Sequence, residues 1–190
     1  GYIFYNTNIL NDFYPPKHWE KQSAEFEKAY KKYEGRPQPK ITSVDCSVDL
    51  FPMENRVEFS GTYELKNKHD VSIDTIFCAQ KDWMFDKYDW NRSSELVFYD
   101  STLGWKMYAF DPPIQPGDEF TLEFSGERKR KGFNNSGVDL LVVENGTMIQ
   151  SSSLFPSFGY NGGRELTQKL VRKKYDLDER KKLPNHDDLK

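Results

Sequence analysis

The residues best able to do chemistry are few and scattered. Three histidines, His18, His69 and His186, fall on a helix, in a turn and in the tail. No H-E-x-x-H element places two imidazoles on one helical face with a glutamate base between them, so no metal site is expected within the chain. His186-Asp187-Asp188 has metal-binding residue types but is read as a solvated tail. Ser151-Ser152-Ser153 lacks the G-x-S-x-G turn that lifts a nucleophile, and no histidine has an evident reason to converge on it. Asp86 and Asp89 lie near Trp83, Tyr88 and Trp90, and carboxylates beside rings serve glycosidases and sugar binders. Ordinary surface acids next to core rings are the favoured reading, since about a quarter of a soluble chain is charged. Phosphate-cradling glycine loops are absent.

Composition narrows the classes further. The 190 residues carry a formal net charge of -3 with both signs interspersed, so no footprint for nucleic acid appears. Apolar stretches such as Leu140 to Val143 fall far short of the roughly 20 residues that cross a bilayer. The chain opens on Gly1 without a basic-then-apolar leader and is expected to be a piece of a longer protein. Cys46 and Cys78 match neither a CxxC pair nor a zinc spacing; the favoured reading is two buried thiols, the other a disulfide suited to an extracytoplasmic compartment. The run Arg128 to Lys131 reads as a solvated strand end. Three Asn-x-Ser/Thr acceptor patterns, beginning at Asn91, Asn134 and Asn145, read as turns.

These residues must be positioned by strands. An aromatic lead ends at Pro15-Pro16, and Trp19, Phe26, Tyr30 and Tyr33 then recur at near-helical spacing from Lys17 to Glu34. So narrow a stripe on a charged helix suits docking onto a domain or a partner. Gly35 and Pro37 end the helix, and after Lys40 the period becomes two. Val44, Cys46, Val48 and Leu50 alternate with polar residues, as do Val57, Phe59, Gly61, Tyr63 and Leu65, which predicts two half-buried strands joined through Pro52 to Asn55. Further strands are predicted at 71–79, 95–99, 105–110, 119–125 and 138–143, with a proline-rich turn at 111–118. Short half-polar strands imply two antiparallel sheets face to face. The expected fold is therefore mainly β: an antiparallel sandwich or saddle with an N-terminal helix and a charged, partly helical C-terminal tail. Expected divisions are 1–38 for the lead and helix, 39–163 for the sandwich, and 164–190 for the tail.

Three stretches carry a resemblance. They are Gly1 to Asn8, the joint Tyr33 to Ile41, and Gly132 to Gly137 leading on to Val143-Glu144-Asn145-Gly146-Thr147 and Phe155-Pro156-Ser157-Phe158-Gly159-Tyr160. With Pro116-Gly117-Asp118 to Phe124 they resemble the N-terminal β-saddle domain of aminopeptidase N type zinc aminopeptidases, specifically the bacterial form fused to an ABC-2 type transporter permease. The resemblance implies a non-catalytic domain that packs on a thermolysin-like catalytic domain. That domain, outside this chain, holds the zinc, so no cofactor is expected here. Pro52-Met53-Glu54-Asn55 is similar to the family's substrate-binding signature but occupies a hairpin connection, and is read as unrelated. The family's N-terminal domain supplies a Gln or Glu for the substrate's free amine, a sensible acceptor for an ammonium. Glu144 and Gln150 lie in the corresponding region, and the choice between them stays open. Ser151 to Ser153 stand where the family carries small residues and an arginine.

The resulting expectation is an accessory domain that makes interdomain contacts and one wall of a peptide cleft. Its partners would be the catalytic and transmembrane domains of the same parent chain and peptide N-termini, with no nucleic acid. The parent, an active peptidase or a degenerate peptide-binding version, would sit in the bacterial inner membrane with this domain extracytoplasmic, in the periplasm. The rival expectation is a stand-alone β-sandwich module that stacks Trp83, Trp90 and Trp105 on peptide or carbohydrate. A third, an independent hydrolase using Asp86 and Asp89, requires turnover by the chain alone.

Overall fold

The computed structural model describes residues 5, 15, 17–79, 85–129, 140–143, 145–149 and 154–180. They fall into two compact units, one built on Tyr33–Tyr160 and the other on Pro15–Lys32 with Asn161–Lys190.

The first unit is mainly antiparallel β. Its strands are β1 (Lys40–Phe51), β2 (Arg56–Lys66), β3 (Ile73–Cys78), β4 (Lys87–Trp90), β5 (Ser94–Asp100), β6 (Trp105–Ile114), β7 (Glu119–Lys129), β8 (Leu140–Val143) and β9 (Gly146–Ile149). They form sheets ordered β1-β2-β7-β4, β3-β6-β5 and β8-β9. Period-two alternation decides which residues enter the core. Val57, Phe59, Tyr63 and Leu65 of β2 face inward, and β7 answers with Phe120, Leu122 and Phe124 in register across the strand pair. Ile73, Ile76 and Cys78 of β3, Phe110 and Ile114 of β6, Val142 of β8 and Leu154 complete the cluster. Each fully buried large apolar side chain contributes about 1.5–3 kcal/mol.

One connection differs from the sequence-based expectation for a physical reason. The expected turn at 111–118 is shorter, because β6 runs on to Ile114. Its ladder jumps from Thr75↔Ala109 to Ile73↔Ile114, so Pro112 and Pro113 lie in an irregular stretch where no ladder N–H is required of them. Strands β4 and β9 are only four residues long and carry too few alternations to stand out in the sequence.

Two side-chain amides hold the joints. Asn67, almost fully buried, donates through Nδ2 to the carbonyls of Val71 (2.9 Å) and Ile114 (3.1 Å), and its Oδ1 accepts from His69 N (3.0 Å). Gln38 lies along β3: its Nε2 donates to Thr75 O (3.1 Å) while its Oε1 accepts from Phe77 N (2.8 Å). Gly159 N donates to Phe77 O (2.8 Å), and Phe158 bridges Cys78. The backbone groups of β3 are satisfied there as a further strand would satisfy them.

In the second unit, α1 (His18–Tyr30) packs with the short helix α2 (Lys169–Lys174) and its flanking segments. Ala24, Phe26, Glu27 and Tyr30 form the buried face of α1. Trp19, expected in the same stripe, is half exposed, so the buried face is narrower than the aromatic spacing suggests. The Arg164 guanidinium lies 3.8 Å above the Phe26 ring. Below it, Arg172 grips Glu27 with two bonds, Nη1 to Oε2 at 2.8 Å and Nη2 to Oε1 at 2.6 Å. Lys31 joins Glu27 (3.3 Å) to Glu165 (2.9 Å), and Arg180 reaches Glu165 at 3.1 Å. Burial alone would raise the Glu27 carboxyl, but the hydrogen bonds and charges of Arg172 and Lys31 hold it below the usual range. Lys31 is held above its ordinary value, its burial outweighed by the bonds to Glu165 and Glu27.

Candidate functional site

The structure separates the residues whose types suggested catalysis. His18 lies on α1 in the second unit, and His69 Nε2 is 3.0 Å from the Gln38 carbonyl oxygen in the first. His186, Trp83, Ser151 to Ser153 and the amine-binding candidates Glu144 and Gln150 lie outside the described residues. Among the described residues no group of three histidine, cysteine, aspartate or glutamate side chains could hold a metal ion, so a zinc ion does not fit them. Asp89 projects from β4 on the face opposite Tyr88 and Trp90, and Lys87 lies 3.8 Å from its carboxylate. The rings and the acid therefore do not share a cleft. Trp90 packs edge-on or tilted against Tyr88, Tyr108, Phe110, Phe120 and Phe158. Trp105 is fully buried and packs near-parallel to Phe77 and Tyr33, which also touch each other.

The two thiols also part company. Cys46 is exposed and Cys78 buried, and both are free, which corrects the reading of two buried cysteines. Burial pushes the Cys78 thiol up to about 12, against the lowering effect of its contact with the Tyr88 hydroxyl (3.3 Å). It is a core residue without nucleophilic character. Arg128, expected on a solvated strand end, is buried opposite Val57 in β7, which lies between β2 and β4. Pro52–Glu54 forms a single helical turn at the β1–β2 tip, with Met53 80% exposed and Asn55 in the left-handed region that closes it.

What the sheet does bring together lies along β1. Its register sets Val44, Cys46, Val48 and Leu50 opposite Tyr63, Gly61, Phe59 and Val57. Those partners line the core, yet β1 itself is exposed from Lys40 to Leu50. The expectation of a half-buried strand fails because β1 is the sheet's edge and nothing described covers its inner face. Gly61 explains the local packing: a Cβ there would meet Asp45 O and the tip of the Phe124 ring, each at 2.8 Å. The missing side chain lets the Phe124 ring reach across β2 toward Cys46. Above that ring Tyr63 packs edge-on at 4.9 Å, and burial pushes its hydroxyl up to about 12.

The opposite face of the same sheet is acidic. Cross-strand register aligns Asp49, Glu58 and Glu127 in one row and Asp45, Thr62, Glu123 and Asp89 in another. Arg56 pairs with Glu58, with Glu54 (2.9 Å) and with Glu127 (3.4 Å), while Lys87 pairs with Glu123 (2.6 Å). No described residue forms an ion pair with Asp45 or Asp49. A shallow groove of about 360 Å³ runs between Asp49, Glu58, Asp86 and Glu127. Sequence reasoning passed over Asp45 and Asp49; the signal was their place on the polar side of the β1 alternation.

No family model matches the chain. No curated protein matches it either. Among solved structures it is similar to a two-domain M1 zinc metallopeptidase, a glutamate-to-alanine mutant bound to L-tryptophan. The identity is 14% and the TM-score 0.37, with 54% of this chain and 23% of that one covered. A likeness at that level carries no conclusion about activity, and the chain spans about a quarter of that protein's length. Among the described residues the chemistry available is that of a surface, an open apolar row backed by acids, with no nucleophile set beside a base.

Proposed function

We propose that this chain is a non-catalytic accessory domain of a bacterial ABC-transporter permease fused to a zinc aminopeptidase. In that reading it lies outside the inner membrane, makes interdomain contacts and forms one wall of a peptide-binding cleft. The observation that carries the reading is the β1 inner face. Val44, Val48 and Leu50 continue the sandwich core into solvent at 51%, 39% and 44% exposure. A contiguous apolar row of this kind marks a surface made for covering. The ordered resemblance to the aminopeptidase N-terminal domain, carried by stretches that cover most of residues 1 to 165, supplies the kind of protein that would cover it. Zinc and the catalytic base would belong to the parent's other domain, where the metal would activate water for peptide hydrolysis. No helix of the described residues is long and apolar enough to cross a membrane, so the spans would also belong elsewhere in the parent. The rival, a stacking module, draws no support from Trp90 or Trp105, which are both core rings.

Reading the source gene on both sides of the chain tests this directly. Hydrophobic spans before Gly1 and an H-E-x-x-H helix after Lys190 are the expected result, together with no hydrolysis of aminoacyl anilides by the chain alone in added zinc. Turnover by the isolated chain, or a gene without spans and without a second domain, overturns the proposal.

A further inference from the structure

Strand β1 is an edge of unusual openness. Twelve residues at about 3.3 Å each make an edge about 40 Å long. Natural edge strands are blunted by shortness, bulges, prolines, lysines or a cover, because a free row of N–H and C=O groups recruits other strands. The other described edges have such a device. Strands β4, β8 and β9 are four residues each. The β5 ladder breaks between Leu96 and Phe98. On β3, the Gln38 amide and the Phe158-Gly159 backbone satisfy the edge. On β1 the one irregularity lies between Ile41 and Ser43, after which nine residues run in unbroken register to Phe51 without a proline or a lysine.

The two faces of that stretch specify what would pair with it. Inside, Val44, Val48 and Leu50 offer an apolar row; outside, no described residue forms an ion pair with Asp45 or Asp49, Asp49 standing in register with Glu58 and Glu127 and Asp45 in the row of Glu123 and Asp89. A second copy of β1 is a poor match. Any antiparallel pairing that keeps both apolar rows inside also brings the Asp45 and Asp49 of both copies onto one face of adjacent strands, where like charges repel. We propose that β1 captures an extended basic segment by strand addition. Its apolar residues would alternate with lysine or arginine, the cations lying opposite Asp45 and Asp49 and the apolar side chains covering Val44 and Val48. Main-chain hydrogen bonds supply the affinity and the alternation supplies the specificity. The inference rests on the reading of the chain as a cleft wall and names the class of peptide that the wall accepts.

The experiment uses the full 190-residue chain and three fluorescein-labelled nine-residue peptides read by anisotropy: an alternating valine–lysine peptide, a valine–glutamate peptide, and the lysine peptide N-methylated at alternate residues. The lysine peptide is expected to bind, and N-methylation to abolish binding. The exposed double variant Asp45→Lys/Asp49→Lys is expected to bind the lysine peptide roughly ten-fold more weakly, two cross-strand attractions having become repulsions, and to gain affinity for the glutamate peptide. No binding of the lysine peptide, equal binding after N-methylation, or equal binding by the double variant overturns the inference. Sedimentation as a dimer that crosslinks through Cys46 overturns it in favour of a second copy, with buried Cys78 as the internal control. Gene context separates the two proposals: lysine-peptide capture in a gene without spans leaves strand addition standing and the permease reading fallen, and the reverse pattern does the opposite.

Discussion

Gly61 shows how one residue sets the packing of a strand edge. It occupies an inward position of β2 where alternation calls for a large apolar side chain, and its neighbours Phe59 and Tyr63 are both buried. The Phe124 ring takes the vacant place, so Gly61→Ala forces a methyl group against that ring and against the Asp45 carbonyl oxygen, both at 2.8 Å. The ring can rotate aside, but the backbone oxygen is held in the β1–β2 ladder. A destabilisation of about 1–3 kcal/mol is expected from such overpacking. Urea unfolding of the single variant measures it. The variant Gly61→Ala/Phe124→Leu should recover only part of the loss, since the carbonyl contact persists. Alternation alone placed Gly61 inward, whereas the identity of the ring that fills it was not legible, because cross-strand register with β7 depends on a partner about sixty positions away. The same limit explains Cys46: its period-two position is inward, and only the sheet order reveals that inward at an edge means exposed.

At the scale of elements, α1 and α2 are tied by a charge pair instead of by an apolar seam. Glu27 and Arg172 are 145 positions apart, buried, and joined by two short bonds. Helical spacing alone places Glu27 and Lys31 at i,i+4, a pair that exists at 3.3 Å. Nothing local announces Arg172, since a basic residue on a charged tail reads as solvated until the tail is seen to fold back against α1. Removing Arg172 leaves the buried Glu27 carboxylate with only its longer bond to Lys31, and breaking a buried pair in this way costs about 3–5 kcal/mol. Arg172→Met is therefore expected to unfold the second unit, while Glu27→Leu/Arg172→Leu should recover most of the stability with apolar packing. Trp19, half exposed on α1, gives the fluorescence signal that distinguishes the two variants. Equal losses in the single and the double variant would show that the pair is worth more than apolar replacement can restore.

Across the whole molecule, buried charge is distributed unevenly, and pH should read that distribution. Among the described residues the buried carboxylates, Glu27 and Glu165, both belong to the second unit, whereas the buried polar residues of the first unit are Asn67 and Arg128. The Glu27 carboxyl is held below its ordinary value in the folded chain. Its contribution to stability is complete above the unfolded value of about 4.5 and drains away as pH falls through the lower folded value. Lys31 is shifted the other way, so its contribution is complete below about 10.5 and is lost as pH rises through its raised folded value. The second unit should therefore be most stable between those limits and should yield first to acid. Titration from pH 7 to pH 3, with the Trp19 signal isolated by subtracting a Trp19→Phe variant, is expected to show the second unit losing structure below about pH 4.5. The sandwich, followed through buried Trp105 and half-buried Trp90, should hold to lower pH. Glu27→Gln removes the titrating group and should flatten the acid limb while lowering stability at pH 7. An unchanged acid limb in that variant would place the sensitivity outside Glu27.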